Sequence, residues 1–361
     1  MKKNILICSY DLSIGGIEKS LINLLKNLDK KKYNIDLILE NIDGELLNDV
    51  PDYINILRYK PYNLKFKIIQ KALNLLKQLR YKLLLKNTYD TSICFATYSY
   101  SSNFLTKISS KNTILYIHSD YTKLYDEKEL KNFFDTRNIE DFKKIIFVSN
   151  ESKNNLIKYY PNIVNKSIVI NNIIDINDII NKSNEKTELP FNKEDTNLLF
   201  VGRLEERSKN ILFQLEIMKN IKDKNIKLYI IGDGPDRNLY IKYISENNLK
   251  DNVIMLGKKT NPYPYIKKCD YVLLTSYYEG YPVIFNECIT LKKNIISTIK
   301  ISDEYTCIGD NFGYLLPKEK NKFIKELTNI INNKFPNKTK ININDINKKR
   351  IKEIEMILDE K

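Results

Sequence analysis

Residues 276–287 read Ser276-Tyr277-Tyr278-Glu279-Gly280-Tyr281-Pro282-Val283-Ile284-Phe285-Asn286-Glu287. They come just after a short apolar run, Tyr271 to Leu274, that is typical of a buried strand. Because Pro282 suits the first turn of a helix, Glu279 is predicted in the loop before that helix and Glu287 inside it. Strand, loop and helix in this order form the repeating unit of a parallel α/β sheet.

The start of this helix is predicted to bind an anion. The amides around Val283 and Ile284 would lack partners inside the helix and would point toward a bound phosphate. The flanking carboxylates of Glu279 and Glu287 could accept hydrogen bonds from sugar hydroxyls. A surface helix with two solvated glutamates is the alternative interpretation. Against it, Glu287 lies in the mostly apolar run 283–289, where a carboxylate needs partners.

The same alternation of apolar runs and helical patterns extends along the chain and predicts two doubly wound, Rossmann-like α/β domains. At 361 residues the chain exceeds the size at which single cores usually stop growing. The polar stretch from Asn171 to Thr196 is the candidate linker. We therefore expect a first domain at 1–178, a second at 179–340, and a C-terminal helix at about 341–361 that packs back on the first. The predicted strands are 5–8, 35–39, 92–95, 113–117, 144–148 and 168–170, then 197–201, 227–231, 252–256, 271–274 and 294–297.

Composition limits the chemistry. The chain has one histidine and no two aspartates separated by a single residue, so we expect no structural or catalytic metal and no cofactor. Five cysteines without a C-x-x-C pair fit reduced thiols in a cytosol, and the apolar run 5–8 is too short for a signal peptide. No apolar run approaches the length of a membrane span. The net charge of +14 points to anionic partners.

Two further segments place glycine or a cation at the end of a predicted strand. Gly15 and Gly16 open the first helix, where exposed amides can meet a phosphate or a sugar hydroxyl. In the second half, Gly202 and Arg203 end a strand and Lys209 precedes the next helix, and an arginine fork beside a lysine charge suits a diphosphate. An ordinary turn at the first segment and a solvated charged loop at the second are the alternatives.

The sequence resembles the large family of retaining glycosyltransferases with the GT-B fold that builds capsular, lipopolysaccharide and teichoic polymers in bacteria. The matching elements fall in the family's order over most of the chain, and this ordered set is far more specific than any single motif. They are Gly15-Gly16-Ile17-Glu18, His118-Ser119-Asp120, Phe147-Val148-Ser149, Asn171-Asn172-Ile173-Ile174-Asp175, Gly202-Arg203-Leu204, Gly232-Asp233-Gly234-Pro235, and the pair Glu279 and Glu287.

The resemblance implies two Rossmann-like domains that face a central cleft. It also implies transfer of a sugar from a nucleotide diphosphate, with UDP favoured, to a glycan or lipid-linked saccharide acceptor. Lys209 comes one residue later than the family's usual spacing after Arg203, so Arg207 is an alternative second phosphate ligand. The implied catalytic residues are Glu279, His118 and Arg203, and the implied donor-binding residues are Gly15, Gly16, Gly202, Arg203, Lys209, Gly234, Lys258, Gly280, Tyr281, Val283, Ile284 and Glu287.

The resemblance implies a separate role for each residue. Arg203 and the following lysine are expected to hold the diphosphate, Glu279 to contact the donor sugar, and Glu287 to bind the nucleotide ribose. Gly16 approaches the phosphates from the other domain, and His118 lies near the transferred sugar.

A basic segment bears on the acceptor. From Lys60 to Tyr89 there are eight Lys or Arg residues and no acid. The spacing predicts an amphipathic helix that either lies on an anionic membrane or packs on its own sheet with a solvated lysine face. Its basic row includes Lys67, Lys71, Lys82 and Lys86, and its apolar row is Ile68, Ala72, Leu75, Leu76, Leu79 and Leu83.

Two other functions fit parts of the sequence. A nucleotide-sugar epimerase of the same fold would need several acid and base groups on the sugar, which a single histidine makes a poorer fit. A non-catalytic basic binding protein would use the charge alone, but the sequence has no zinc finger, RRM-like aromatic motif or basic arm, so we expect no nucleic acid partner. The expected location is the cytoplasm, peripheral on the inner face of the cell membrane.

Overall fold

The computed structural model describes residues 2–188, 190–221, 223, 225–302, 306–333 and 342–360. The chain divides into two compact units, one formed by Met1–Ile173 with Lys348–Lys361 and the other by Ile174–Asn347. We call them unit 1 and unit 2. Residues 341 and 361 of the predicted C-terminal helix lie outside the described residues.

Unit 1 is built on a parallel sheet of seven strands. Its strands are β1 (Lys3–Ser9), β2 (Tyr33–Leu39), β3 (Asn55–Arg58), β4 (Thr91–Cys94), β5 (Thr113–Ile117), β6 (Lys144–Phe147) and β7 (Ser167–Val169). Its first five helices are α1 (Gly16–Asn27), α2 (Lys67–Leu85), α3 (Tyr100–Ser109), α4 (Glu127–Asp135) and α5 (Asn150–Leu156). The strand order is β3-β2-β1-β4-β5-β6-β7. β1 and β4 are buried on both faces, as expected for central parallel strands.

Unit 2 repeats this architecture with six parallel strands in the order β10-β9-β8-β11-β12-β13. The strands are β8 (Thr196–Val201), β9 (Ile226–Ile231), β10 (Val253–Gly257), β11 (Tyr271–Leu274), β12 (Asn294–Ser297) and β13 (Tyr314–Leu315). The helices are α6 (Ile176–Ser183), α7 (Glu206–Lys209), α8 (Ile211–Asn220), α9 (Arg237–Glu246), α10 (Tyr263–Lys268), α11 (Val283–Thr290) and α12 (Lys320–Asn333).

The last helix, α13 (Ile343–Asp359), begins in unit 2 and ends in unit 1. Ile354, Ile357 and Leu358 belong to the same buried cluster as Ile5 and Ile7 of β1. The end of the chain is therefore part of the core of unit 1.

Every strand predicted from the sequence is present, and the two doubly wound parallel sheets confirm the predicted fold class. The candidate linker 171–196 contains helix α6, which packs on α10 and α11. Asp175 caps this helix by accepting a hydrogen bond from the Asp178 amide at 3.0 Å, and Ile179 is its buried anchor. Most of that segment is thus folded into unit 2.

Each sheet has one point at which the chain reverses its direction of travel. In unit 1 the chain runs outward from β1 through β2 to β3 and then returns to β4 on the other side of β1. In unit 2 the corresponding reversal lies between β8 and β11. Loops diverge at the carboxyl ends of the two strands there, and the crevice between them is the usual ligand site of an open α/β sheet.

Helix α2 does not pack its apolar row on the sheet. No residue of α2 is buried, and Ile68 and Leu83 are 87% and 82% exposed. Packing of this segment is therefore limited to its other face, where Tyr81 and Leu85 contact a buried cluster that includes Leu6 and Cys8 of β1. Among the described helices none is long and apolar enough to cross a membrane.

Candidate functional site

Arg203 stands at the reversal point of unit 2, directly after β8 and Gly202. It is exposed, and its guanidinium forms no hydrogen bond or ion pair with the residues that the structure describes. The neighbouring strand β11 ends at Leu274, and the loop that holds Glu279 follows it. An unpaired planar cation at this edge can donate two hydrogen bonds to a phosphate.

Glycines allow the loops after β8 and β9 to approach each other closely next to Arg203. Gly232 has a φ of +149°, and a Cβ there would lie 1.8 Å from the carbonyl oxygen of Gly202. A Cβ on Gly234 would lie 2.5 Å from the carbonyl oxygen of Leu204. The Leu204 amide donates to the Asp233 carbonyl at 2.9 Å. The glycines of this turn thus fix the backbone on which Arg203 is carried.

Lys209 and Glu279 form an ion pair across the reversal point. The Lys209 Nζ lies 2.7 Å from Glu279 Oε1, and the same oxygen accepts a hydrogen bond from Ser276 Oγ at 2.6 Å. The side chains of Lys209 and Glu279 are 24% and 10% exposed. Arg207, the other candidate phosphate ligand, points elsewhere, with a side chain 72% exposed and Nε 3.4 Å from Glu205 Oε1.

A small polar network ties the Lys209 loop to the end of β11. Asn210 has a φ of 52°, in the left-handed region that asparagine tolerates, and so separates α7 from α8. Its Nδ2 donates to the Thr275 carbonyl at 3.2 Å, and Gln214 Nε2 donates to Thr275 Oγ1 at 2.8 Å. The network holds Lys209 opposite Glu279.

The N-terminus of α11 lies beyond Glu279. Pro282 is its N-cap, one position earlier than predicted, and no side chain caps the helix. The amides of Val283 and Ile284 have no hydrogen-bond partner among the described residues, whereas the Phe285 amide bonds to Pro282 at 3.0 Å. Glu287 is 2% exposed, so its carboxylate is held inside the helix packing. Free amides at this helix start leave a partial positive charge for an anion.

The remaining predicted residues of unit 2 line the same edge or its surroundings. Gly257 ends β10 with a φ of +69° and accepts a hydrogen bond from the Gly232 amide at 3.0 Å, and the exposed Lys258 follows it. Gly280 lies in the Glu279 loop, and the buried Tyr281 donates to Asn286 Oδ1 at 3.1 Å.

Gly15, Gly16 and His118 belong to unit 1. Gly15 is the N-cap of α1, and a Cβ there would lie 2.2 Å from Glu18 Oε2, so a larger residue would displace that carboxylate. Gly16 has open space beside its Cα. Tyr98 donates to Glu18 Oε1 at 3.3 Å, which links the loop after β4 to the first turn of α1 at the reversal point of this sheet.

His118 follows β5 and is 8% exposed. Its ring stacks on Tyr116 with centroids 5.5 Å apart and lies 4.4 Å from the Phe95 ring. Neither ring nitrogen has a hydrogen-bond partner within the described residues. Burial lowers the pKa of His118 from 6.5 to about 3, and the backbone of Phe95 offsets this only in part. The imidazole is therefore neutral, so one ring nitrogen can donate a hydrogen bond and the other can accept one.

Within the described ranges, no group of three or more His, Cys, Asp or Glu residues is arranged to hold a metal ion.

Two family models together match most of the chain. The model for Glycosyltransferase Family 4 matches residues 14–178, and that for glycosyl transferases group 1 matches residues 181–350. Among solved structures, the crystal structure of Anabaena HepE in complex with UDP and glucose has a TM-score of 0.74 at 16% identity, covering 98% of this chain and 99% of that one. The chain belongs to the glycosyltransferases of the GT-B fold.

Curated relatives match this chain over shorter stretches. The Campylobacter jejuni N-acetylgalactosamine-N,N'-diacetylbacillosaminyl-diphospho-undecaprenol 4-alpha-N-acetylgalactosaminyltransferase is 30% identical over 152 residues, 42% of this chain and 40% of the relative. The Staphylococcus aureus capsular polysaccharide biosynthesis glycosyltransferase CapH is 29% identical over 174 residues, 45% of this chain and 46% of the relative. The chain thus spans less than half the length of these two curated relatives.

Three residues of the candidate site were not predicted from the sequence. Ser276 bonds to Glu279 within one loop, whereas Asn210 and Gln214 bond to Thr275 from the start of α8. Nothing in the local pattern indicates these partners. The position of Ser276 directly beyond a predicted strand is the one clue, since side chains at strand ends line the ligand edge of a parallel sheet.

His118 makes the stability of this protein depend on pH in a predictable direction. The folded protein keeps the imidazole neutral down to about pH 3, whereas the unfolded chain binds a proton near pH 6.5. Stability should therefore fall as pH drops below 6.5, by about 1.4 kcal/mol per pH unit.

A His118→Gln variant should lose this part of the pH dependence of stability. Because His118 is the only histidine in the chain, the difference between the two proteins isolates its titration. Urea unfolding followed by circular dichroism, at neutral pH and at roughly pH 5, gives the change in unfolding free energy with pH for the wild type and for the variant. Equal pH dependence in both proteins would show that His118 is hydrated in the fold.

Proposed function

We propose that this protein is a retaining, metal-independent glycosyltransferase that moves a sugar from a UDP-sugar to a glycan or lipid-linked saccharide in cell-surface polysaccharide synthesis. The observation that carries the proposal is the juxtaposition, at the reversal point of unit 2, of Lys209 with Glu279. Arg203 and the amides of Val283 and Ile284, which have no partner among the described residues, belong to the same edge. Cations, free amides and one carboxylate are the groups that a sugar diphosphate requires.

The cations are assigned to the diphosphate. Arg203 donates its fork to phosphate oxygens, and Lys209, rather than Arg207, supplies the second charge because it lies at the reversal point. The amides of Val283 and Ile284 add the partial charge of a helix start. Together they stabilise the negative charge that grows on the leaving nucleotide diphosphate, which is where fixed donors accelerate the reaction most.

Glu279 is assigned to the transferred sugar and Glu287 to the ribose. Glu279 already accepts hydrogen bonds from Lys209 and Ser276, so it is oriented before the donor binds. A carboxylate held in this way suits an anchor for sugar hydroxyls better than a covalent nucleophile. The acceptor oxygen then bonds to the anomeric carbon on the face that the phosphate leaves, and a phosphate oxygen takes the acceptor proton.

In unit 1, His118 is assigned to the sugar and the α1 N-terminus to the phosphates. A neutral imidazole can donate or accept a hydrogen bond with a sugar hydroxyl, and both His118 nitrogens lack other partners in the described residues. Gly16 has the open space that close approach of a phosphate requires. Gly15 and Gly16 expose the first amides of α1.

The nature of the substrates rests on the similar proteins. The HepE structure contains UDP and glucose, which supports a UDP-sugar donor. The name of the Campylobacter jejuni relative describes transfer to a saccharide on diphospho-undecaprenol, and CapH serves capsular polysaccharide biosynthesis. A lipid-linked acceptor would bring this protein to the inner face of the cell membrane as a peripheral, cytoplasmic enzyme.

A donor panel tests the proposal. The protein is mixed with UDP-, GDP- and dTDP-sugars in excess EDTA, and hydrolysis or transfer is followed by mass spectrometry. We expect saturable binding and turnover of a UDP-sugar that EDTA does not reduce, because fixed cations replace the metal. Strict dependence on added magnesium or manganese would remove the metal-free mechanism. Affinity for DNA without any nucleotide-sugar binding would instead indicate a non-catalytic basic protein.

A further inference from the structure

Helix α2 is attached to unit 1 by polar contacts and by Tyr81 and Leu85, which pack on the buried cluster around Tyr59. Asn74 accepts from the Tyr62 amide at 2.7 Å and donates to the Tyr62 carbonyl at 3.0 Å. Lys77 Nζ donates to the Lys60 carbonyl at 2.7 Å and lies 5.1 Å from the centre of the Tyr59 ring. These contacts recur at helical spacing, so one face of α2 is fixed on the segment that precedes it.

The opposite face of α2 is apolar and points away from the protein. We call it the α2 stripe; it consists of Ile68, Ala72, Leu75, Leu76, Leu79 and Leu83. Leu75, Leu76 and Leu79 are 56%, 62% and 51% exposed. A helix of a globular protein normally buries such a face, and a contiguous exposed apolar surface marks a binding site. The inward face of α2 thus mixes polar contacts with the packing of Tyr81 and Leu85, and the apolar stripe points outward.

Cations flank the α2 stripe on both sides. On one side, Lys71 lies four residues before Leu75 and Lys82 lies three residues after Leu79. On the other side, Arg80 lies four residues after Leu76. Seven of the eight basic residues between Lys60 and Tyr89 are exposed, and none of the seven forms an ion pair with the described residues. The partner must therefore offer an apolar interior bordered by negative charge.

We infer that the α2 stripe docks on an anionic lipid bilayer, with its apolar side chains among the acyl chains and the flanking cations at the headgroups. The helix of 19 residues would be about 28 Å long and would lie in the plane of the interface. A second copy of the chain fits worse, because this segment has no acid and two copies would bring like charges together. The inference goes beyond the proposed transfer reaction and does not require it.

Flotation with vesicles tests the inference. The full chain is floated with vesicles of phosphatidylcholine alone or of an equimolar mixture with phosphatidylglycerol. We expect binding to the anionic vesicles only. Changing Ile68, Leu75, Leu79 and Leu83 together to Gln should reduce partition by on the order of a hundredfold, and changing Lys67, Lys71, Lys82 and Lys86 to Gln should do the same through the headgroups.

Matched controls separate docking from loss of charge or fold. Changing the exposed lysines Lys219, Lys242, Lys250 and Lys325 of unit 2 to Gln removes the same charge and should leave flotation unchanged. The stripe variant should keep its circular dichroism spectrum and its UDP affinity, because its side chains are already in water. Wild-type protein that ignores anionic vesicles, or a stripe variant that floats as well as wild type, overturns the inference. A dimer that the stripe variant abolishes would assign the stripe to a second copy instead.

Discussion

Replacing Arg203 by alanine is expected to reduce turnover by on the order of a hundredfold or more while the protein stays folded. Arg203 is exposed, and its guanidinium has no partner in the described residues, so its removal breaks no contact of the fold. Its full effect should fall on the charge that develops as the nucleotide diphosphate leaves. Affinity for the bare nucleotide should drop less than turnover, because the interaction is strongest in the transition state.

Arg207→Ala is the matched control for this experiment. Arg207 lies four residues later, is 72% exposed, and is paired only with Glu205 in the described residues. Its replacement should leave initial rates and UDP affinity near those of the wild type. Arg203→Lys keeps the charge but loses the forked pair of donors, so its turnover should lie between that of Arg203→Ala and that of Arg207→Ala. Wild-type rates in Arg203→Ala, or the larger loss in Arg207→Ala, would show that the diphosphate is held elsewhere.

Much of the fold could be predicted because its central strands are buried on both faces and read as continuous apolar runs. β5 and β11 were predicted with the bounds that they have in the structure. The two strands that escaped prediction, β3 and β13, lie at the edges of their sheets. β3 begins with Asn55 and ends with exposed Arg58, and β13 has only two residues, so neither produces an apolar run. Edge strands bury less surface and tolerate such residues.

The site could be predicted in its parts but not in its contacts. Lys209 and Glu279 are 70 residues apart in the chain, and they meet because β8 and β11 are neighbours in the sheet. Strand order is not encoded in any local pattern, so the ion pair could not be foreseen. Which face of α2 points outward could not be predicted for a similar reason. Periodicity gives an amphipathic helix, but the bonds from Asn74 and Lys77 and the packing of Tyr81 and Leu85 on unit 1 decide which face points outward.

The two glutamates should fail in different ways when replaced. Glu287→Ala is expected to lose affinity for the nucleotide product, because its proposed partner is the ribose. Glu279→Ala should depress turnover on the order of tenfold to a hundredfold, because its contact is to the sugar being transferred. Its affinity for UDP should be no weaker than that of wild type, since the change frees Lys209 from the 2.7 Å ion pair.

Ser276→Ala extends this test to the group that orients Glu279. Without the 2.6 Å bond to Ser276 Oγ, Glu279 is held by Lys209 alone, so turnover should drop part of the way toward that of Glu279→Ala. Glu326→Ala, an exposed glutamate on α12, is the control and should behave as wild type. Glu287→Gln keeps the volume of this side chain, which is 2% exposed, and separates ribose binding from a packing defect. For each folded variant, titration calorimetry gives the affinity for UDP, and initial rates give the turnover. If Glu279→Ala and Glu287→Ala both keep the wild-type affinity and turnover, the pair is structural and the site lies elsewhere.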